Sequence, residues 1–174
     1  MLLYTATLKD GRVVQIREFR MEDKEKLFEM YESLSPEAVH WGTPSYTRDR
    51  IERNWLNNLQ NMIPLVAFYG DKLVGHAQIF KFPHARRKGT GDLAMYLHQD
   101  FQNVGLGTVI LAELLKLARK EEMHRIGLHV IAVDKIAVRL YEKISFKVEG
   151  VLKDSYLGAD GKYHDEIAMG LILE

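Results

Sequence analysis

The spacing of apolar positions changes period several times along the chain, and each change marks an element. Residues 2–8 alternate loosely, Asp10-Gly11 supplies a turn, and residues 12–19 read as a strand, which predicts an N-terminal hairpin. From Glu22 and Asp23 the period becomes helical. Leu27, Met30, Tyr31 and Leu34 share one face, the acidic pair suits the helix start, and Ser35-Pro36 closes the segment. Ile51, Trp55, Leu56 and Leu59 mark a second helix that stops before Pro64. Residues 65–69 and 73–82 are predicted strands around the hairpin turn Gly70-Asp71, with Gly75 marking a bulge or a close approach. After a polar loop, a strand runs from Asp92 to Leu97. Ile110, Leu111, Leu114, Leu117 and Ala118 give the next helix a broad apolar face. Residues 126–133 are almost continuously apolar, as in a strand covered on both faces. Asp134 caps a last helix, and residues 145–152 and 163–173 are strands joined through Asp160-Gly161. The predicted order is βααβββαβαββ: an α/β fold with a mixed sheet flanked by helices.

Length and charge narrow the classes of function. A chain of 174 residues with 47% hydrophobic positions suits one domain, here residues 1–174. Lys and Arg number 24, as do Asp and Glu, so no overall field draws the chain to nucleic acid or to a membrane. Arg86-Arg87-Lys88 reads as a solvated loop. The absence of cysteine excludes disulfides and a thiol nucleophile. With no signal-like start and no apolar stretch near ~18 residues, a soluble, cytoplasmic chain is expected. His-Glu-x-x-His spacing is missing, so no metal is expected, and Gly-x-Ser-x-Gly is missing too.

One run carries a chemical signal. Gln102-Asn103-Val104-Gly105-Leu106-Gly107-Thr108 lies between the strand ending at Leu97 and the following helix. Glycines there let a ligand approach the backbone, and the first helical amides lack partners and point outward with the positive end of the dipole. A phosphate or pyrophosphate is the natural guest. The run is neither a dinucleotide fingerprint, which needs a third glycine, nor a P-loop, which needs Gly-Lys-Ser/Thr.

Its Gln-x-x-Gly-x-Gly form resembles the acetyl-CoA signature of the GNAT N-acetyltransferases, and the element order resembles their splayed mixed sheet over roughly residues 12–172. A second stretch, from Asp134 through Ala137, Leu140, Tyr141 and Lys143 to Ser145-Phe146, is similar to that family's Asn-x-x-Ala-x-x-Leu-Tyr-x-Lys-x-Gly-Phe. Asp134 replaces the usual Asn, and Ser145 the usual Gly, which implies a differently shaped turn there. The resemblance implies an enzyme that moves an acetyl group from acetyl-CoA to a primary amine by direct attack on the thioester. The acceptor is an amino acid, a small amine, a protein N-terminus or a lysine. A CoA-binding sensor on the same fold is the alternative, and longer acyl chains stay open. Residues 150–166 resemble members acting on small amines or N-termini, whereas residues 33–37 resemble protein lysine acetyltransferases. A homodimer is common in the family.

By the same resemblance, the run Gln102, Asn103, Val104, Gly105, Leu106, Gly107 and Thr108 binds acetyl-CoA, with the pyrophosphate on the amides of Val104 to Thr108, Gln102 beside it and the Thr108 hydroxyl in reach. Pantetheine runs along Tyr96, Leu97 and His98, with Leu97 near the carbonyl oxygen, and Asp134 joins the cofactor-binding set. The reaction needs a base for an amine of pKa ~10 and an acid for the leaving thiolate. Tyr141 is the candidate acid, at the position of the family's tyrosine. Asp92 and His129 compete as base; each stands where some relatives carry a glutamate, and a bound water is compatible with either. The acceptor is expected between the 35–47 loop and the last hairpin, with Trp41, Tyr46 and Tyr156 as walls or packing residues and His40, Asp154 and Asp165 available to orient a cation.

Overall fold

The computed structural model describes residues 3–173. The expected N-terminal hairpin forms from β1 (Leu3–Thr7) and β2 (Val13–Glu18), so the element order gains one strand at its start; Leu2 lies outside the described residues. Then follow α1 (Lys24–Glu32), α2 (Arg48–Asn54), β3 (Met62–Tyr69), β4 (Lys72–Lys81), β5 (Thr90–Leu97), α3 (Leu106–Lys120), β6 (Arg125–Ile131), α4 (Lys135–Lys143), β7 (Lys147–Leu157) and β8 (Tyr163–Ile172). All eight strands join one mixed sheet, ordered β1-β2-β3-β4-β5-β6-β8-β7.

Boundaries shift at several elements, and three of the shifts have a clear local reason. β3 begins at Met62 and contains Pro64. Proline cannot donate to a ladder, but β2 has ended by then, and opposite Pro64 only its carbonyl is used, by the Phe19 amide at 3.1 Å. α2 stops at Asn54 because the Asn58 side-chain amide donates to the Arg53 and Asn54 carbonyls; a 3-10 segment carries the chain on to Asn61. β7 continues to Leu157 through a bulge at Asp154, whose left-handed φ of 49° is held by its amide donating to Asp165 Oδ1 at 3.0 Å. Gly75 lies at the β3–β4 register shift, and a Cβ there would stand 2.8 Å from Ile110 Cδ1, so it serves both a bulge and a close approach.

The sheet separates two cores. On one face α3 and α4 bury Ile110, Leu111, Leu114 and Val138 against Ile79, Leu93, Ile126 and Leu128. On the other, α1 and α2 bury Leu27, Phe28, Tyr31 and Ile51 against Val66, Phe68 and Leu73. Only β5 and β6 run parallel. Their ladder holds Thr90↔Arg125, Gly91↔Ile126 and Asp92↔Gly127, after which the strands part. β5 stays on β4 as far as Leu97, and β6 stays on β8 as far as Ile131. Among the described residues no helix is long and apolar enough to cross a membrane.

Candidate active site

Backbone register decides what the parted strands offer each other. His98 N donates to Val74 O at 2.9 Å and Phe82 N to Thr90 O at 3.0 Å, which fixes the even-numbered residues of β5 as those bonded to β4. The N–H and C=O groups of Met95 and Leu97, beyond the last ladder position, therefore point into the gap. On the far side, Ala132 N donates to Asp165 O, so the even residues of β6 serve β8 and those of His129 and Ile131 face the gap. Within the 96–98 stretch expected to hold pantetheine, Leu97 is thus the residue whose main chain is available. Its carbonyl accepts the Gln102 side-chain amide at 3.2 Å, so Gln102 ties the glycine turn to the end of β5.

A 3-10 turn at Gln99–Phe101 leads from β5 into that turn. Asn103 (φ 59°) and Gly105 (φ 92°) both take left-handed backbone, and Gly105 is the N-cap of α3. Val109 N is the first amide bonded within the helix, to Gly105 O, which leaves the amides of Leu106, Gly107 and Thr108 pointing out of its end. The two glycines differ in role. A Cβ on Gly105 would meet only the Lys9 side chain, from 3.6 Å; a Cβ on Gly107 would stand 3.2–3.4 Å from Leu140, Met95 and Leu97. Gly105 serves the turn's conformation, and Gly107 lets α3 close on α4 and β5. The β1–β2 turn buttresses this loop. Lys9 N donates to Val104 O at 3.0 Å, and the Arg12 guanidinium lies 3.8 Å over the Phe101 ring while donating to Asp100 O at 2.6 Å. Lys9 and Arg12 belong to the site in space, and nothing in their local sequence shows it.

α4 begins as expected, with Asp134 Oδ1 accepting the Ala137 amide at 3.1 Å. Ser145 takes φ 77°, the conformation a glycine would hold, so the turn keeps its shape at a cost in strain; Phe146 N closes it on Tyr141 O at 3.0 Å. Tyr141 packs against the α3–α4 core with its ring 5.9 Å from Phe146. Burial, and then the Asp134 charge, push its phenol up to about 12. Among the described residues its hydroxyl makes no hydrogen bond within the protein.

The opposite face is built from side chains. Asp92 and His129 line one 260 Å³ cavity at the closed end of the gap, with Arg87, Arg125 and Glu149. Arg125 Nη1 is 2.7 Å from Glu149 Oε1, and Arg87 lies 3.5 Å over the Phe82 ring. At the open end, five aromatic side chains meet: Tyr31, Tyr46, Trp55, His76 and Tyr96. Tyr46 is buried among them; its hydroxyl donates to Tyr96 at 3.0 Å and accepts the Thr43 amide at 2.8 Å. Tyr46 therefore supports the wall from behind. His76 Nδ1 is 2.9 Å from the Tyr31 hydroxyl, and burial lowers its pKa to about 4. Burial raises the Tyr96 phenol, as does the neighbouring Tyr46.

The 35–47 loop and the last hairpin do meet. Tyr156 donates its hydroxyl to Gly42 O at 2.6 Å, and Trp41 packs edge-on against His164 at 5.0 Å and lies 6.3 Å from Tyr156. Between them lies a 720 Å³ cavity lined by Leu34, Glu37, His40, Thr43, Tyr156 and Leu157, among others. Lys153 pairs with Asp165 at 2.7 Å, leaving that carboxylate already engaged. Sequence reasoning passed over Glu166, which alternation places on this face. It also passed over the Tyr31–His76 pair, whose partners are brought together only by α1 packing on β4. Among the described residues, no group of three His, Asp or Glu side chains is placed to hold a metal ion.

Comparison with known proteins fits this geometry. A model of the acetyltransferase (GNAT) family matches residues 25–146. The chain is 27% identical to the L-amino acid N-acetyltransferase AaaT of Escherichia coli (strain K12) over 109 residues, 62% of this chain and 67% of that protein. A GNAT-family acetyltransferase from Streptococcus pneumoniae superposes with a TM-score of 0.81 at 25% identity, over 92% of this chain and 99% of that one. The structure of yncA from Salmonella typhimurium with its cofactor acetyl-CoA superposes with a TM-score of 0.78 at 21% identity, over 92% and 94% of the two chains, a likeness of fold.

Proposed function

The chain belongs to the GNAT acetyltransferase family, and on that premise we propose that it transfers the acetyl group of acetyl-CoA to a primary amine by direct attack on the thioester. The observation that carries this reading is the Leu97 N–H turned into the gap between β5 and β6, beside the free amides that open α3. Eight strands in one sheet support treating the described residues as one such domain.

Acetyl-CoA supplies an activated acyl group on a sulfur leaving group. The amides of residues 104–108 and the positive end of α3 suit its pyrophosphate, with the Lys9 side chain alongside. Main-chain groups of Met95 and Leu97 suit pantetheine as an added strand, and the Leu97 N–H donates to the carbonyl oxygen as negative charge develops there. Tyr141, protonated throughout the neutral range, gives its proton to the departing sulfur.

The base must take a proton from the amine on the other face. Asp92 stands at the last paired position of the ladder, five residues before Leu97, or ~16 Å along the strand. His129 stands two residues beyond that position on β6, level with Ala94, and reaches the amine more directly, through a water. This favours His129 over Asp92. AaaT is named for L-amino acids, whose reacting group is a primary amine, and that name supports this class of acceptor. Thiol release, followed with acetyl-CoA against amino acids, polyamines, peptide N-termini and lysine peptides, tests the reading. Turnover on at least one amine is expected; tight CoA binding with no turnover on any would instead mark a CoA sensor.

A further inference from the structure

We propose that Glu166 receives the ammonium group of the acceptor, and that this acceptor is an amine with no carboxylate on the carbon that bears it. The inference rests on the acetyl-transfer reading above and names the substrate class for the same site.

Position comes first. Glu166 pairs with Ile131, so its side chain lies on the face that carries Gly127, His129 and Asp92, opposite α3 and α4. Counting from the Asp92↔Gly127 position, Tyr96 lies four residues along β5 and Ile131 four along β6. Glu166 is therefore level with Tyr96 and Leu97, where the thioester carbonyl is expected, and one strand spacing, ~5 Å, beyond β6. Asp92 lies ~13 Å further down the gap.

Its partners come second. Glu166 is half-buried, and Oε2 accepts the Ser155 hydroxyl at 2.7 Å. Among the described residues no Lys, Arg or His pairs with it. The neighbouring acids are engaged: Asp165 with Lys153 and Asp160 with His164. A half-buried carboxylate that lacks a cation, with the Tyr156 phenol close enough to feel its charge, is suited to an ammonium brought by the substrate.

The surrounding charge then limits the acceptor. The cavity between the 35–47 loop and the last hairpin does not include Glu166 itself but adjoins it through Tyr156, and it is lined by Glu37 and His40 but by no Lys or Arg. Arg50 is occupied with the Thr43 and Ser45 carbonyls, Arg125 with Glu149, and Arg87 lies over Phe82 at the closed end of the gap. An α-carboxylate would lie near Glu166 with no counterion; a peptide N-terminus or an amidated amino acid carries no such charge.

The test compares L-leucinamide with L-leucine as acceptors for the full chain and for Glu166→Gln and Glu166→Asp, with acetyl-CoA affinity measured on each. The expected result is leucinamide preferred at least about tenfold in kcat/KM. Glu166→Gln should raise the leucinamide KM about tenfold with acetyl-CoA affinity unchanged, narrow the preference over leucine, and be partly rescued by Glu166→Asp. Preference for leucine, an unchanged KM in Glu166→Gln, or equal loss in both variants together with weakened acetyl-CoA binding would overturn it. A wild-type chain that binds acetyl-CoA but acetylates neither compound overturns this inference alone. Failure to bind acetyl-CoA removes it together with the reading it rests on.

Discussion

The two sides of the gap between β5 and β6 are made of different material. Toward α3 and α4 the groups proposed to hold acetyl-CoA are main-chain, namely the Leu97 N–H, the amides of residues 104–108 and the α3 dipole, all from one contiguous stretch of sequence, and the Tyr141 side chain, the proposed acid, is the one addition from α4. Toward α1 and α2 the proposed groups are side chains from separated places: Trp41 from a loop, Tyr96 from β5 with Tyr46 supporting it from behind, His129 from β6, Tyr156 and Glu166 from the last hairpin. A main-chain site needs only a backbone path, which two glycines and a helix start specify locally. A side-chain site needs the whole fold, and its chemistry can change while the fold stays put. The first side suits a constant ligand, the second a variable one.

Substitutions on each side should therefore separate. The largest effect is expected from Tyr141→Phe, which removes the proposed acid from the α3–α4 side: kcat falls by about 10²–10⁴ with little change in acetyl-CoA affinity, measured by single-turnover kinetics. Because burial holds this phenol up at about 12, it stays protonated below that value, and kcat should show no loss attributable to it as pH rises to about 10. Full kcat in Tyr141→Phe with chemistry rate-limiting would mean that solvent protonates the thiolate.

Next comes acid sensitivity on the α1–α2 side. His76 is neutral in the fold, with its pKa lowered from 6.5 to about 4 by burial. Below pH 6.5 the unfolded chain takes up a proton that the folded chain refuses, so stability is lost as pH falls from 6.5 toward 4, by about 3 kcal/mol from this group. Urea unfolding at pH 7 and pH 4.5 should show a smaller loss in His76→Gln than in the wild type; equal losses would place the sensitivity elsewhere.

Tyr156→Phe removes the hydroxyl that holds Gly42 O at 2.6 Å and should cost about 1 kcal/mol, seen as a severalfold higher acceptor KM with acetyl-CoA affinity unchanged. A change in CoA affinity instead would show that the two sides are coupled. The smallest effect belongs to Ser145→Gly. Relief of the left-handed φ of 77° should stabilise the chain by about 1 kcal/mol in thermal unfolding and leave activity unaltered.

The same division explains what the sequence reveals. Period-2 and period-3.6 patterns place the sheet and its helices because each pattern reports burial of one face, and the Gly105–Gly107 run names its ligand class because the chemistry is local. Boundaries slip where a side chain acts across the chain, as Asn58 does in closing α2. Glu166 carries no local mark: an acidic residue in a strand near a turn looks solvated, and only the pairing with Ile131 places it level with Leu97. Lys9 and Arg12 reach the glycine turn from another hairpin, so no spacing along the chain announces them. Tyr46 reads equally as a pocket wall or a packing residue because its loop is rich in aromatics, and only its burial against Tyr96 decides for packing.

The central claim, that acetyl-CoA is held by main chain at the glycine turn, is tested most directly by calorimetric acetyl-CoA affinity of the wild type and of Gly105→Val. The φ of 92° at Gly105 is closed to a β-branched residue, and a Cβ there would make ordinary contact, from 3.6 Å, with the flexible Lys9 side chain, so the substitution changes the path of the turn more than the packing beneath it. The expected result is saturable binding by the wild type and at least about a tenfold loss in a folded Gly105→Val protein. Equal affinity in the two folded proteins would contradict the account.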